Sequence, residues 1–275
     1  MISSLAHLKR TGFALACGFD IRPRMKFYEP WVLSRCACLG NDVIKLLRGG
    51  DQKFPKVLNY QKLRVDGFLG NLQNQNFKRG FFRAIQSTSR VDIQVCIGMQ
   101  LNRIYYRQKL PPNFIVMDDF SELTDSSIRL TKSGFRFFAN VSDLRSEVKN
   151  SKDIRIDGLF DISELEQSYF KLFNEFQRLW GSLPIVFIHF PTKLDSRIMY
   201  ATRSLAIKNA ISKLALEFKN LNQIIIPDEK VEFSETLDGH SFPYHYSNQL
   251  YPYVANQVAQ ALAKSQQMKT PNGWM

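Results

Sequence analysis

The stretch PIVFIHFPTKLDSRIMYATRSLAIKNAISKLALEFKNLNQIII, residues 184–226, decides the fold. It opens with Pro184–Phe190, an apolar run interrupted only by His189. A continuous apolar strand belongs to a sheet that is covered on both faces. A helix is expected over Thr202–Phe218, where Leu205, Ile207, Ile211, Leu214 and Leu216 recur near helical spacing. Gln223–Ile226 is a second apolar strand, ended by Pro227. Two strands separated by a helix pair in parallel, because only a long crossover returns the chain to the same end of the sheet.

Working outward, the same alternation recurs. Ser163–Trp180 is an amphipathic helix with Leu165, Tyr169, Leu172, Phe173, Phe176 and Trp180 on one face. Ser163 and Glu166 fit a capping box at its start, and Gly181 closes it. Ser247–Lys264 is the last helix, with Pro252 in its first turn. Phe114–Met117 is a short buried strand ending in Asp118-Asp119, and Phe135–Ala139 reads as another. Upstream, Gly12–Ala16 is strand-like and Glu29–Cys36 is a further apolar run. A helix over Gly40–Leu47 follows, stopped by Gly49-Gly50. A run from Ile93 to Tyr106 has helical character. The expected class is α/β, a three-layer sandwich with a mostly parallel, flavodoxin-like sheet. One domain spans residues 1–275, with 50–110 as a cap or insertion.

In such sheets ligands sit at the carboxyl ends of the strands. That rule gathers Arg35–Cys38, Asp118–Glu122, His189–Asp195 and Pro227–His245 on one rim.

Composition excludes several classes. Hydrophobic residues make up 44% and charged residues 23%, ordinary globular values that exclude a disordered or collagen-like chain. Four cysteines, Cys17, Cys36, Cys38 and Cys96, are too few for a disulfide-stapled scaffold. Cys36-Ala-Cys38 has the wrong spacing for a zinc knuckle, and no metal or cofactor is expected. No apolar run approaches the roughly 18 residues that span a bilayer. Thr11–Cys17 is cut short by Gly18 and Asp20, so it is read as a buried segment and not as a secretion signal. The expected location is cytoplasmic.

The net charge is +12, and it is uneven. Residues 1–110 hold 19 lysines and arginines against 6 acids, whereas residues 111–275 hold 18 against 19. The surplus concentrates at Arg22-Pro-Arg24-Met-Lys26 and at Phe77–Arg83. Mixed cations and aromatics suit single-stranded nucleic acid. A helix with Phe77, Phe81 and Phe82 turned inward suits the second segment equally. No known nucleic-acid-binding pattern accompanies it, so nucleic acid is not the expected partner. A small molecule or glycan is.

Of four histidines, His7 lies near the terminus. His189 ends a core strand, where it serves either as a ligand contact or as a satisfied core imidazole. His240 and His245 fall in the segment before the last helix. His245, Ser247, Tyr251 and Ala255 give the spacing H-x-S-x-x-x-Y-x-x-x-A. This resembles the final block of the SGNH hydrolase superfamily, in which a histidine ahead of the last helix acts as general base toward a serine. Trp31–Leu47 (WVLSRCACLGNDVIKLL) is similar to the strand, G-S-C-F-A turn and helix that open the superfamily's GSCFA-type branch. Phe114–Glu122, Pro184–Arg197 and Gln223–Glu229 resemble its later strands, in order, over residues 27–262.

The departures fall on the chemistry. Ser34 stands at the family's glycine position and Arg35 at its serine, so a one-residue slip would make Ser34 the nucleophile. Phe242 replaces the acid three residues before the histidine, and no G-x-N-D block occurs. The resemblance implies an esterase or O-acyltransferase, with Ser34 or Cys36 as nucleophile and His245 as base. Asp238 or Glu235 would supply the orienting carboxylate, without which a triad loses about four orders of magnitude. Its alternative is a degenerate SGNH-fold protein that binds an anionic glycan or phosphorylated ligand. Arg35, Cys36, Glu122, His189, Arg197 and His240 are the expected ligand contacts, with Arg22 and Arg24 adding to a basic rim.

Overall fold

The structure is a computed structural model, and it describes residues 31–49, 56–72, 81–100, 110–234 and 244–267. Strands β1 (Trp31–Arg35), β2 (Lys56–Asn59), β3 (Phe114–Asp118), β7 (Ile185–His189) and β8 (Leu221–Ile225) form one sheet in the order β2-β1-β3-β7-β8. Every pairing in it is parallel. Counted along this sheet the order is 2-1-3-4-5, the flavodoxin-like winding.

Helices cover both faces. Adjacent residues of a strand point to opposite sides. Thus Cys36 reaches Gly40 of α1 (Cys38–Gly49), while Arg35 reaches Tyr169 of α7 (Leu165–Trp180). On the edge strand, Asn222 bonds Ser265 of α9 (Leu250–Gln267), and Gln223 bonds Ser212 of α8 (Ile198–Glu217). α1 packs on α9 across one face; α2 (Val65–Leu72), α7 and α8 line the other. The α/β three-layer sandwich expected from residues 184–226 is the fold.

β1, β3 and β7 are buried along their whole length, which is why they read as unbroken apolar runs. α7 buries Leu165, Tyr169, Leu172, Phe173 and Phe176 of the expected stripe, and Trp180 at its end is half-buried. Its start differs. Asp161 accepts from Ser163 N and Oγ at 2.9 and 2.8 Å, so a 3₁₀ turn over Ile162–Glu164 precedes the helix. α8 begins at Ile198 and buries Tyr200, Ile207, Ile211 and Leu214; Leu205 and Leu216 lie on its exposed side. Apolar residues occupy both sides of this helix, so spacing alone did not separate them.

Phe135–Ala139 belongs to a second, antiparallel sheet. There β5 (Arg136–Ala139), β4 (Ser126–Leu130) and β6 (Ile154–Gly158) lie in the order β5-β4-β6. α3 (Phe81–Ile85) and α4 (Val91–Met99) pack on it around Ile93, Ile97, Ile128, Leu130 and Phe137. Within the stretch 50–110, residues 56–72 therefore supply β2 and α2 of the main layers, and 81–99 serve the smaller sheet. Gly12–Ala16, Arg22–Lys26, the first residues of Phe77–Arg83 and the end of Ile93–Tyr106 lie outside the described residues. No helix among the described residues is long and apolar enough to cross a membrane.

Candidate functional site

The strand order reverses between β1 and β3, whose carboxyl ends form the switch point where doubly wound sheets open a crevice. β1 ends at Arg35, the chain turns through Cys36-Ala37, and α1 starts at Cys38. Asn59, at the end of β2, clamps this turn. Its Oδ1 accepts from Ser34 Oγ at 3.0 Å and from Cys36 N at 2.9 Å, and its Nδ2 donates to Cys36 O at 3.0 Å. Asp118, from β3, accepts from Ala37 N through Oδ2 at 2.7 Å and from Phe120 N through Oδ1 at 3.2 Å. Its carboxylate therefore sits against the amino end of α1, where the helix dipole favours negative charge. Burial, with Asp119 beside it, nevertheless pushes Asp118 up to about 8.

Ser34 is fully buried, and its hydroxyl donates to a neutral amide oxygen, Asn59 Oδ1. Cys36 is buried too, with Sγ 3.5 Å from Val116 O. Burial and Asp118 push its thiol well above the ordinary range, away from the nucleophilic thiolate. Cys38, the next cysteine, is exposed at the mouth of the turn; burial of its sulfur, Asp42 and Asp118 raise its pKa as well.

Arg35 turns inward, although a place on the rim was expected. Nη1 donates to Glu122 Oε1 at 2.5 Å and to Leu63 O at 3.0 Å; Nη2 donates to Asp118 O at 2.8 Å and Tyr169 Oη at 3.0 Å. Burial opposes its charge, but Glu122 and Tyr169 hold the guanidinium above its usual pKa. Glu122 also takes Val65 N at 2.6 Å. Arg35 and Glu122 thus form one buried knot that ties β1 to α2, α5 (Phe120–Thr124) and α7.

His189 is buried at the end of β7. Nδ1 lies 3.4 Å from Asp119 Oδ2, and Nε2 lies 3.0 Å from Gln223 Oε1. Asp119 Oδ1 accepts from Phe190 N at 2.7 Å. Both ring nitrogens are engaged within the protein, as in a satisfied core imidazole. Arg197 grips Asp195 through Nε and Nη2 at 2.8 and 2.6 Å, lies 4.1 Å over the Tyr200 ring, and bonds Tyr244 Oη.

His245 stands five residues ahead of α9. Residues 232–234 pair with 245–247: Ser234 N donates to His245 O at 3.2 Å and Ser247 N to Glu232 O at 3.0 Å. The imidazole lines an open cleft of about 560 Å³ together with Asp42, Lys45, Ser234, Asn248 and Tyr251. Neither Ser34 nor Cys36 is among its lining residues. Asp238, His240, Glu235 and Phe242 lie outside the described residues.

The structure therefore gathers Ser34, Arg35, Cys36 and Glu122 at the switch point and His245 in a cleft of its own. Asn59 was not foreseen, because a lone Asn in a segment rich in Asn and Gln carries no pattern. Among the described residues no cluster of His, Cys, Asp and Glu suits a metal ion. No protein-family model and no curated protein sequence matches this chain.

Proposed function

We propose that this chain is a binding protein with an SGNH-like α/β fold, and that it holds a glycan in the cleft around His245. The observation that supports this most is the environment of Ser34: its hydroxyl is buried and donates to the Asn59 amide, a group that cannot take its proton. A serine without a base is a poor nucleophile. The cleft offers aromatic surface and neutral hydrogen-bonding groups at Tyr251, Asn248 and Ser234, which suits hydroxyl-rich ligands. A neutral sugar surface fits better than a phosphate. Glu122 neutralises Arg35, Asp195 neutralises Arg197, Asp42 takes Lys45 at 2.6 Å, and Asp118 already fills the amino end of α1.

Ester hydrolysis or O-acyl transfer is the second reading. It is favoured by the winding order, which starts both α1, behind the Ser34–Cys36 turn, and α9, behind His245, from the carboxyl edge. The two readings separate on one preparation. An array of neutral and acidic oligosaccharides should show selective binding that Tyr251→Ala and Asn248→Ala weaken. Hydrolysis of p-nitrophenyl acetate should stay at background. Turnover abolished in both Ser34→Ala and His245→Ala would replace the binding reading with the enzymatic one.

A further inference from the structure

Three arginines stand in one row across the antiparallel sheet. Arg129 of β4 is in direct register with Arg136 of β5 on one side and with Arg155 of β6 on the other. Residues directly opposite in an antiparallel pair share a face, and like charges placed so repel. Arg64 lies behind Arg136; both guanidiniums ride on the Phe138 ring, at 4.9 and 5.1 Å. Two carboxylates serve these four cations. Asp66 takes Arg64 at 2.9 Å and Arg136 at 3.2 Å; Asp157 takes Arg155 at 2.5 Å and Arg129 at 3.4 Å. Arg129 and Arg155 both hydrogen-bond Asp157 through Nε, and among the described residues no other carboxylate pairs with either guanidinium group. Their side chains are 42% and 65% exposed, so those groups face solvent. Burial above all pulls Arg136 below its ordinary pKa; Asp66 opposes the shift, and the neighbours Arg64 and Arg129 add to it.

Stability does not account for this row. Exposed ion pairs are worth little, and the cross-strand repulsion works against the sheet. We propose that the face formed by the exposed Arg129 and Arg155, with the half-buried Arg136 beside them, is a separate binding site for a small phosphate-bearing ligand. Guanidinium forks match phosphate oxygens two at a time. The row spans three strands, about 10 Å at ordinary strand spacing, which is room for one or two phosphoryl groups and too short for a nucleic-acid track. Ile156, the exposed apolar residue of β6, lies on the other face, so among the described residues of this sheet no exposed large apolar side chain shares the arginines' face as a membrane-inserting group would.

Pyrophosphate is the probe, titrated calorimetrically into the full chain at low ionic strength. Saturable one-to-one binding is expected. Arg129→Gln should weaken it by about tenfold or more, the value of losing a charged hydrogen-bonding partner. Arg129→Lys, which keeps the charge and loses the fork, should fall between. Arg129→Gln should melt no lower than the parent, because a repulsion has been relieved and Asp157 keeps Arg155. The proposal is overturned if pyrophosphate does not bind, or if Arg129→Gln and Arg155→Gln bind it as tightly as the parent. It is equally overturned if phosphatidylserine vesicles or an oligonucleotide are retained and pyrophosphate fails to displace them.

Discussion

Single residues at the carboxyl edge trade charge against burial. Glu122 is fully buried and is the carboxylate partner of Arg35. Glu122→Gln keeps the shape and strands the guanidinium, so unfolding in urea should show a loss of about 3–5 kcal/mol, the range for a broken buried pair. Asp118 gives a pH signature. Its pKa in the folded chain is pushed up to about 8, from an ordinary carboxylate value when unfolded. The folded state therefore binds the extra proton between those limits, and stability contributed by protonated Asp118 is complete below about pH 4 and lost as pH rises through about 8. Melting temperature should fall across that window, and Asp118→Asn should flatten the slope. An unchanged slope in the variant would assign the effect to Glu122 and Asp125, which burial also raises. None of this was legible in the sequence. Arg35 and Glu122 read as rim contacts because a chain position at a strand end does not say which way a side chain turns.

Elements were far more legible than their chemistry. β3, β7, β8 and α7 lie within a few residues of their expected bounds, because a buried strand must be apolar throughout and an amphipathic helix must repeat at 3.6. β2 escaped notice because it is four residues long and only half-buried at an edge. Phe135–Ala139 was seen as a strand, but its partner was hidden, since parallel and antiparallel strands look alike when both are short. Two glycines inside helices hold these elements together. A Cβ at Gly67 of α2 would lie 2.2 Å from Phe138 Cε2, and one at Gly40 of α1 would lie 2.6 Å from both Cβ and Sγ of Cys36. Alanine in a helix interior ordinarily gains about 1 kcal/mol over glycine. Here overpacking, at about 1–3 kcal/mol, should win at both sites. Thermal denaturation of Gly67→Ala should show destabilisation that Phe138→Leu partly relieves; a stabilised Gly67→Ala would mean that α2 has room to move off β5.

At the scale of the molecule, the described residues form two hydrophobic cores. The larger surrounds the parallel sheet, and the smaller lies between β4–β6 and α3–α4. Phe138 of β5 packs into the larger core, and polar ties add to that link: Lys62 reaches Asp125 at 3.4 Å and Asp143 at 2.9 Å, and Arg64 reaches Gly158 O at 3.0 Å. Lys62 holds a left-handed backbone, φ 58°, which costs a non-glycine residue energy and persists only where its surroundings insist. A small core buries less apolar surface, so its amides should exchange before those of β1, β3 and β7 in native-state hydrogen exchange. Equal protection in both would make the chain one cooperative unit. The tryptophans bear on how that opening would be seen. Trp31 and Trp180 meet edge to face, with ring centres 6.2 Å apart, and both belong to the larger core; the smaller sheet and its helices contain no indole. In a Trp274→Phe background, which removes the one indole outside the described residues, fluorescence is consequently blind to the early event, while far-ultraviolet dichroism registers it. The two optical melting curves should separate, and the gap between them measures how independently the minor lobe comes undone.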